Sequence, residues 1–235
     1  MKLEIDSFNS DIFGIVMANL ILDKELLESR DVSDIVNDAK KRGIKHLCVK
    51  TNVNDKRNLY ALFDNGFYLV DTLITYEIPV LKYGIDTDII RPYNDCDKER
   101  LMRIAKSGFA IDRFHSDPNL PKEKSDRYYE KWTENLCEGM ADKIFVVDIN
   151  DQVMGFQTLK YSDNTARFVL AAIDSEAQGK GYYNLLMKYI INSLNGTDLK
   201  LLLGTQLGNM ASLRTLSRLS GIPMSVTYVL HKSLM

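Results

Sequence analysis

The chain has 235 residues, with 30 Lys and Arg against 32 Asp and Glu for a formal net charge of −2. That balance excludes a global field that would draw nucleic acid or an anionic membrane, and 45% hydrophobic with 26% charged residues excludes a disordered chain. Cys48, Cys96 and Cys137 lie far apart without a CxxC pair, which excludes a disulfide framework or a cysteine zinc site and reads as three small core residues in a reducing compartment.

The amino-terminal MKLEIDSFNSDIFG carries acids and polar residues where a signal peptide needs an apolar stretch. No later run approaches the roughly 18 apolar residues of a membrane helix. A cytoplasmic protein with no membrane, nucleic-acid or metal partner is therefore expected.

The length suits one full domain and a smaller one. The polar segment from Asp86 to Arg100, which contains Pro92, places the boundary, giving 1–90 and 91–235. In the first stretch Val32 to Lys41 predicts a helix that stops at Gly43, followed by a strand from Ile44 to Thr51. Leu59, Leu62 and Phe63 share the face of a second helix ended by Gly66, and Tyr68 to Ile78 reads as a strand.

In the second stretch Tyr128, Trp132 and Leu136 form the apolar stripe of a helix from Ser125 to Leu136. Strands follow at Ile144 to Ile149, Val153 to Lys160 and Ala166 to Ile173, the first two joined at Asn150-Asp151 as a hairpin. A glycine-containing loop then leads into a helix marked by Leu185, Leu186, Tyr189, Ile190 and Leu194. LKLLLGTQLGN opens a further helix through Ala211, Leu213 and Leu216, and Gly221 precedes the strand SVTYVLHK. This strand, turn, helix, glycine, strand order repeats that of the first stretch, and Thr75-Tyr76 answers Thr227-Tyr228, so the first domain reads as a partial copy of the second.

Gly179 and Gly181 let backbone pass close to a ligand, the helix after them offers unpaired N–H groups, and Gln178 and Lys180 add donors and charge. That is the chemistry of a diphosphate cradle, although a glycine turn capping a helix has the same letters. Two adjacent strands that each lead to a helix can part and pair with an extended ligand such as pantetheine, beside Asn209. Asn209 reads equally as a plain helix cap.

The order VMGFQTL, LAAIDSEAQGKGYYNLL, LKLLLGTQLGNMASLRTLSRLSG and SVTYVLHK resembles the Gcn5-related N-acetyltransferase (GNAT) superfamily, whose loop pattern Gln/Arg-x-x-Gly-x-Gly/Ala is met at Gln178 and Gly181. RFHSDPNLPKEKSDRYYEKW with Gly204-Thr205-Gln206 and Asn209 is similar to the dTDP-fucosamine acetyltransferase group within it, and IDSFNSDIFG extends that likeness over nearly the whole chain.

The resemblance implies an α+β fold, with a mixed, mostly antiparallel sheet flanked by helices and a smaller GNAT-like half ahead of it. It implies acetyl transfer from acetyl-CoA to a primary amine, of a nucleotide-linked aminosugar in the narrower group, and leaves a homodimer open. Ala172, Ile173, Gln178, Gly179, Lys180, Gly181, Tyr182 and Asn209 are the implied acetyl-CoA contacts. Arg113, Phe114 and Asp117 are the implied acceptor contacts, where Arg113 suits a diphosphate and Asp117 an amine or sugar hydroxyls.

Two positions depart from the pattern: Tyr183 replaces the last small residue of the loop, and Leu216 stands where the family places its proton-donating tyrosine. His115 as base and Ser217 as acid are the candidates left. A non-catalytic protein that binds CoA or a partner is the alternative.

Overall fold

The computed structural model describes residues 1–23 and 27–235. The first half contains β1 (Lys2–Ile5), α1 (Ser7–Phe13), β2 (Met17–Ile21), α2 (Ser29–Lys41), β3 (His46–Asn52), α3 (Lys56–Asp64) and β4 (Tyr68–Ile78). The second contains β5 (Ile90–Pro92), α4 (Lys98–Gly108), α5 (Lys122–Asn135), β6 (Lys143–Ile149), β7 (Gln152–Ser162), β8 (Thr165–Ile173), α6 (Tyr182–Ser193), β9 (Lys200–Gln206), α7 (Met210–Arg218) and β10 (Ile222–Ser233).

Local chemistry fixes most of these bounds. Gly43 and Gly66 follow α2 and α3 at φ of 73° and 74°, the left-handed region where a side chain is strained. Asn150 and Asp151 join β6 to β7 with φ of 53° and 62°, as a primed two-residue hairpin turn requires, and these two residue types tolerate it. The polar segment that places the boundary is partly built into the fold. Its Ile90–Pro92 pairs with β6 as an edge strand, the position where proline costs no ladder bond, and Arg91 is held by Asp97 and Asp148.

Among the described residues, ten strands form one sheet in the order β1-β2-β3-β10-β4-β9-β8-β7-β6-β5. Among the described strands only the β2–β3 and β8–β9 pairs are parallel. The boundary near residue 90 does not divide the sheet, because β10 lies between β3 and β4, and β4 lies between β10 and β9. Each half thus hands its last strand to the other.

The exchange follows a repeat in the chain. One offset relates 46 to 200, 56 to 210 and 68 to 222, so β3, α3 and β4 recur as β9, α7 and β10 with no change of spacing. Cross-strand partners obey the same offset: Thr227 pairs with Asn52, and Leu73 with Gln206. The Thr-Tyr pairs do not carry this equivalence, since the offset sets Leu73, not Thr75, against Thr227.

The sheet is covered on both faces. Val146 of β6 turns into a core with α1, α4 and α5, whereas Phe145 and Val147 turn into a second core with α6 and α7, as strand alternation dictates. A third core lies under α2 and α3. Ile12, Phe13 and Met17 of the first half share one core with Phe114, Tyr128 and Leu136 of the second, and each such side chain contributes about 1.5–3 kcal/mol by leaving water. Of the three free cysteines only Cys48 is a buried core residue; Cys137 is half-buried and Cys96 exposed.

Candidate functional site

β8 and β9 are paired only from Thr165↔Lys200 to Phe168↔Leu203. Beyond that point β8 continues to Ile173 beside β7, while β9 continues to Gln206 beside β4. The two strands part, and a bulge in the β7–β8 ladder between Phe168 and Ala171 marks where they begin to do so. Side chains satisfy the displaced backbone there: Thr158 Oγ1 accepts from Leu170 N at 3.0 Å, and Gln157 Nε2 donates to Leu170 O at 3.1 Å.

Two cavities meet at this gap. One, of about 680 Å³, runs along the glycine loop, and the other, of about 570 Å³, opens over the faces of β3, β4 and β10. Ala171, Gln206, Asn209, Ser212 and Tyr183 wall both.

The loop is shaped for a ligand. Asp174 caps a short turn by accepting from Glu176 N, and Gln178 Nε2 donates back to Ile173 O at 3.1 Å. Gly179 and Gly181 hold φ of 75° and 84°, and a Cβ at either would meet no atom within 4 Å, so the space beside them is open. Gly181 caps α6 without a side-chain acceptor, which leaves the first-turn N–H groups of a 12-residue helix free to bind an anion.

Ala172, Ile173, Gln178, Gly179, Gly181, Tyr182 and Asn209 line the larger cavity, while Lys180 is exposed outside its wall. Asn209 also caps α7, accepting from Ser212 N at 3.1 Å, so the cap and the cavity position coincide in one residue. Arg113 and Phe114 line the second cavity, Arg113 donating to Cys48 Sγ at 3.3 Å with its guanidinium over the Phe114 ring.

Three other candidates lie elsewhere. Asp117 is buried outside both cavities, where Oδ2 accepts from His46 Nε2 and His231 Nδ1 at 2.9 and 2.7 Å and Oδ1 from Tyr68 and Asn119 N. It binds the 109–121 loop to the first half rather than facing an acceptor. His115 is held between Asp112 and Asp126 with its side chain 3% exposed; it lines neither cavity, although Asp112 lines both. Ser217 is exposed and lines neither cavity, whereas Ala211, Ser212, Arg214, Thr215 and Arg218 of α7 line the larger one. Leu216 is 1% exposed within the core under α7.

The cluster His46, Asp117 and His231 has metal-type donors within 4.8 Å of one another. Its geometry is that of a hydrogen-bonded set, with both carboxylate oxygens already taken. Burial alone would raise the pKa of Asp117, but the His231, His46 and Asn119 donors override it and hold the carboxyl well below the usual range. Burial pushes His231 down to about 4, against the pull of Asp117.

The sequence profile of the Acetyltransferase (GNAT) family matches residues 109–221, the segment that contains the parted strands, the glycine loop and both helices that follow them. Residues 109–221, just under half of the chain, are similar to the GNAT family. The chain is 24% identical over 167 residues to the spore coat polysaccharide biosynthesis protein SpsD of Bacillus subtilis (strain 168), a match that covers 70% of this chain and 58% of that protein. The chain thus spans less than two thirds of that relative.

Among solved structures, a functionally unknown conserved protein from Staphylococcus epidermidis superposes with a TM-score of 0.67 at 16% identity, covering 94% of this chain and 85% of the other. A GCN5-related N-acetyltransferase from Sphaerobacter thermophilus does so with a TM-score of 0.64 at 10% identity, covering 98% and 76%. These likenesses extend the GNAT fold to nearly the whole chain, first half included.

Acetyl-CoA is the cosubstrate of the GNAT family, and the features of this cleft suit it. The unpaired edge of Val169–Ile173 suits the amide-rich pantetheine arm, and the loop at Gly179 to Gly181 suits the pyrophosphate. Tyr183 is in the wall of both cavities, and no atom lies within 4 Å of a Cβ built at Gly179 or Gly181. Burial pushes the Tyr183 phenol up to about 12, partly offset by a hydrogen bond from Ser212.

Residue-type reasoning missed several polar groups of the second cavity: Lys50 on β3, Asp71 on β4, and Gln157, whose Oε1 is buried without a partner. Burial pushes Asp71 up to about 6, and the nearby Asp112 adds to the shift, although Thr72 N and the Arg113 charge oppose it. The one available signal was polar residues at strand positions that alternation assigns to a covered face.

Proposed function

We propose that this protein is an N-acetyltransferase that moves the acetyl group of acetyl-CoA to a primary amine of a nucleotide-linked aminosugar. The observation that carries the reading is the gap between β8 and β9, which runs from an anion-binding loop into a polar cavity large enough for a second substrate. The sugar class is supported by the likeness to a protein of polysaccharide biosynthesis.

In this reading backbone amides of β8 pair with the pantetheine arm and polarise the thioester carbonyl. The neutral amine attacks the carbonyl carbon, the C–S bond breaks, the nitrogen loses one proton, and the thiolate takes one up. Holding amine and thioester together lowers the barrier by several kcal/mol, on the order of 7–11 in well-oriented cases. Leu216 cannot give the thiolate its proton. With a thiol pKa of roughly 8.5 the thiolate is a tolerable leaving group, and water suffices at a cost of about 10²–10⁴ in rate.

The test is mass spectrometry of aminosugar nucleotides incubated with acetyl-CoA and the protein. An acylated product supports the reading; CoA binding without any acylated acceptor refutes it. The second outcome is what a non-catalytic CoA-binding protein gives, a reading favoured by the burial of Leu216 and the solvent position of Ser217.

A further inference from the structure

Resting on that reading, we propose that the acceptor site is built by both halves of the chain and takes an amine that also carries an anionic group, with Asp71 receiving the proton of the amine and Lys50 with Arg113 binding the anion. Asp71 and Lys50 lie outside residues 109–221, so neither belongs to the matched domain.

The argument begins with register. Asp71 and Lys50 both pair with Val229, one from each side of β10, so they share one face of the sheet and one row across it. With strands about 4.8 Å apart, their Cα atoms are on the order of 10 Å apart. β4 adjoins β9, one side of the gap, whereas β3 is two strands further away. Asp71 is therefore at the end of the cavity near the thioester, and Lys50 at the end remote from it.

Most of the remaining groups follow the same axis; Arg167 of β8, on the gap side, is the exception. Arg113 reaches Cys48 on β3 and stands beside Lys50, so two cations gather at the remote end. At the near end Gln157 presents a buried, unpartnered Oε1 beside the gap, an acceptor suited to an N–H of the amine. The charged groups facing Asp71 are Lys50 across β10, and Asp112 and Arg113 from the loop above.

The proton balance is complete within this set. An ammonium acceptor gives one proton to the Asp71 carboxylate and becomes the neutral nucleophile. Attack gives an adduct with two protons on a positively charged nitrogen; the C–S bond breaks, one of those protons passes through water to the departing thiolate, and the N-acetyl product keeps the other beside free CoA thiol. A carboxyl whose pKa lies above the ordinary aspartate value is a better base for this step.

Three probes separate the claims: glucosamine 1-phosphate has the amine and the anion, glucosamine lacks the anion, and glucose 1-phosphate lacks the amine. Calorimetric binding and thiol release from acetyl-CoA are measured for the wild type, Asp71→Asn, Asp71→Glu and Lys50→Met. Expected are tenfold or weaker binding of both amines to Asp71→Asn with glucose 1-phosphate unchanged, and tenfold weaker binding of both phosphates to Lys50→Met with glucosamine unchanged. Thiol release should fall at least 100-fold in Asp71→Asn, recover in part in Asp71→Glu, and leave acetyl-CoA affinity within threefold.

Failure of glucosamine 1-phosphate to bind, or equal loss of all three probes in either variant, overturns the inference. The binding pattern without turnover in the wild type sinks the proposed function and keeps the site. Turnover that Asp71→Asn leaves within twofold does the reverse.

Discussion

His231 Nδ1 donates to Asp117 Oδ2 at 2.7 Å, joining the last strand of the sheet to the loop that walls the second cavity. His46 of β3 reaches the same oxygen at 2.9 Å, so this carboxylate ties both halves together in the buried interior.

That tie makes stability depend on pH. Unfolded His231 takes a proton below 6.5, whereas the folded residue does so only below about 4, so its contribution is full above 6.5 and is lost as pH falls toward 4. The full loss is about 3 kcal/mol. Asp117 stays ionised throughout this window and adds its own loss only below its ordinary 3.8. Urea midpoints at pH 7.5 and pH 5 should differ clearly in the wild type and much less in His231→Asn, which starts less stable; equal slopes in the two proteins contradict the account.

Gly155 on β7 faces Ile173, and a Cβ there would overlap Ile173 Cδ1 and sit 3.0 Å from Ala172 O. Gly155→Ala should push β8 toward the gap, costing about 1–3 kcal/mol as overpacking does and weakening acetyl-CoA binding. Calorimetry of the variant with acetyl-CoA checks this, and unchanged affinity at reduced stability would place the ligand elsewhere.

Gly181 is at φ 84° with open space beside it. Gly181→Ala should cost about 1–2 kcal/mol of stability through backbone strain alone. Acetyl-CoA affinity should fall more than that of pantetheine, which lacks the pyrophosphate. A parallel loss for both ligands would count against the loop as the diphosphate cradle.

Leu216→Tyr restores the side chain that the family pattern has at this position, but into a core rather than the gap. The variant should lose about 1–3 kcal/mol of stability with no gain in turnover, read from thermal melting and thiol release. A rate gain of tenfold would mean that α7 turns this position to the ligand.

Much of the fold was legible because its signals are local. Asn150-Asp151 specifies its hairpin, Gly66 stops α3, and β4 runs from Tyr68 to Ile78 as its residues predict. The glycine loop was legible for the same reason. The strand exchange left no such trace, since β10 and β4 have the same alternation whichever half they join. The acceptor side was misread at Asp117, His115 and Ser217 because a polar residue type does not state its direction. One step along α7 turns Thr215 toward the gap and Leu216 into the core, a difference of about 100° that only packing decides.

The interleaving of β4 and β10 also governs synthesis. β3 and β4 leave the ribosome with a vacant slot between them, and the strand that fills it arrives more than a hundred residues later. Until then the first half holds open edges that invite wrong partners, so its maturation must wait for the polypeptide through Ser233, and chaperone demand should be greatest in that interval.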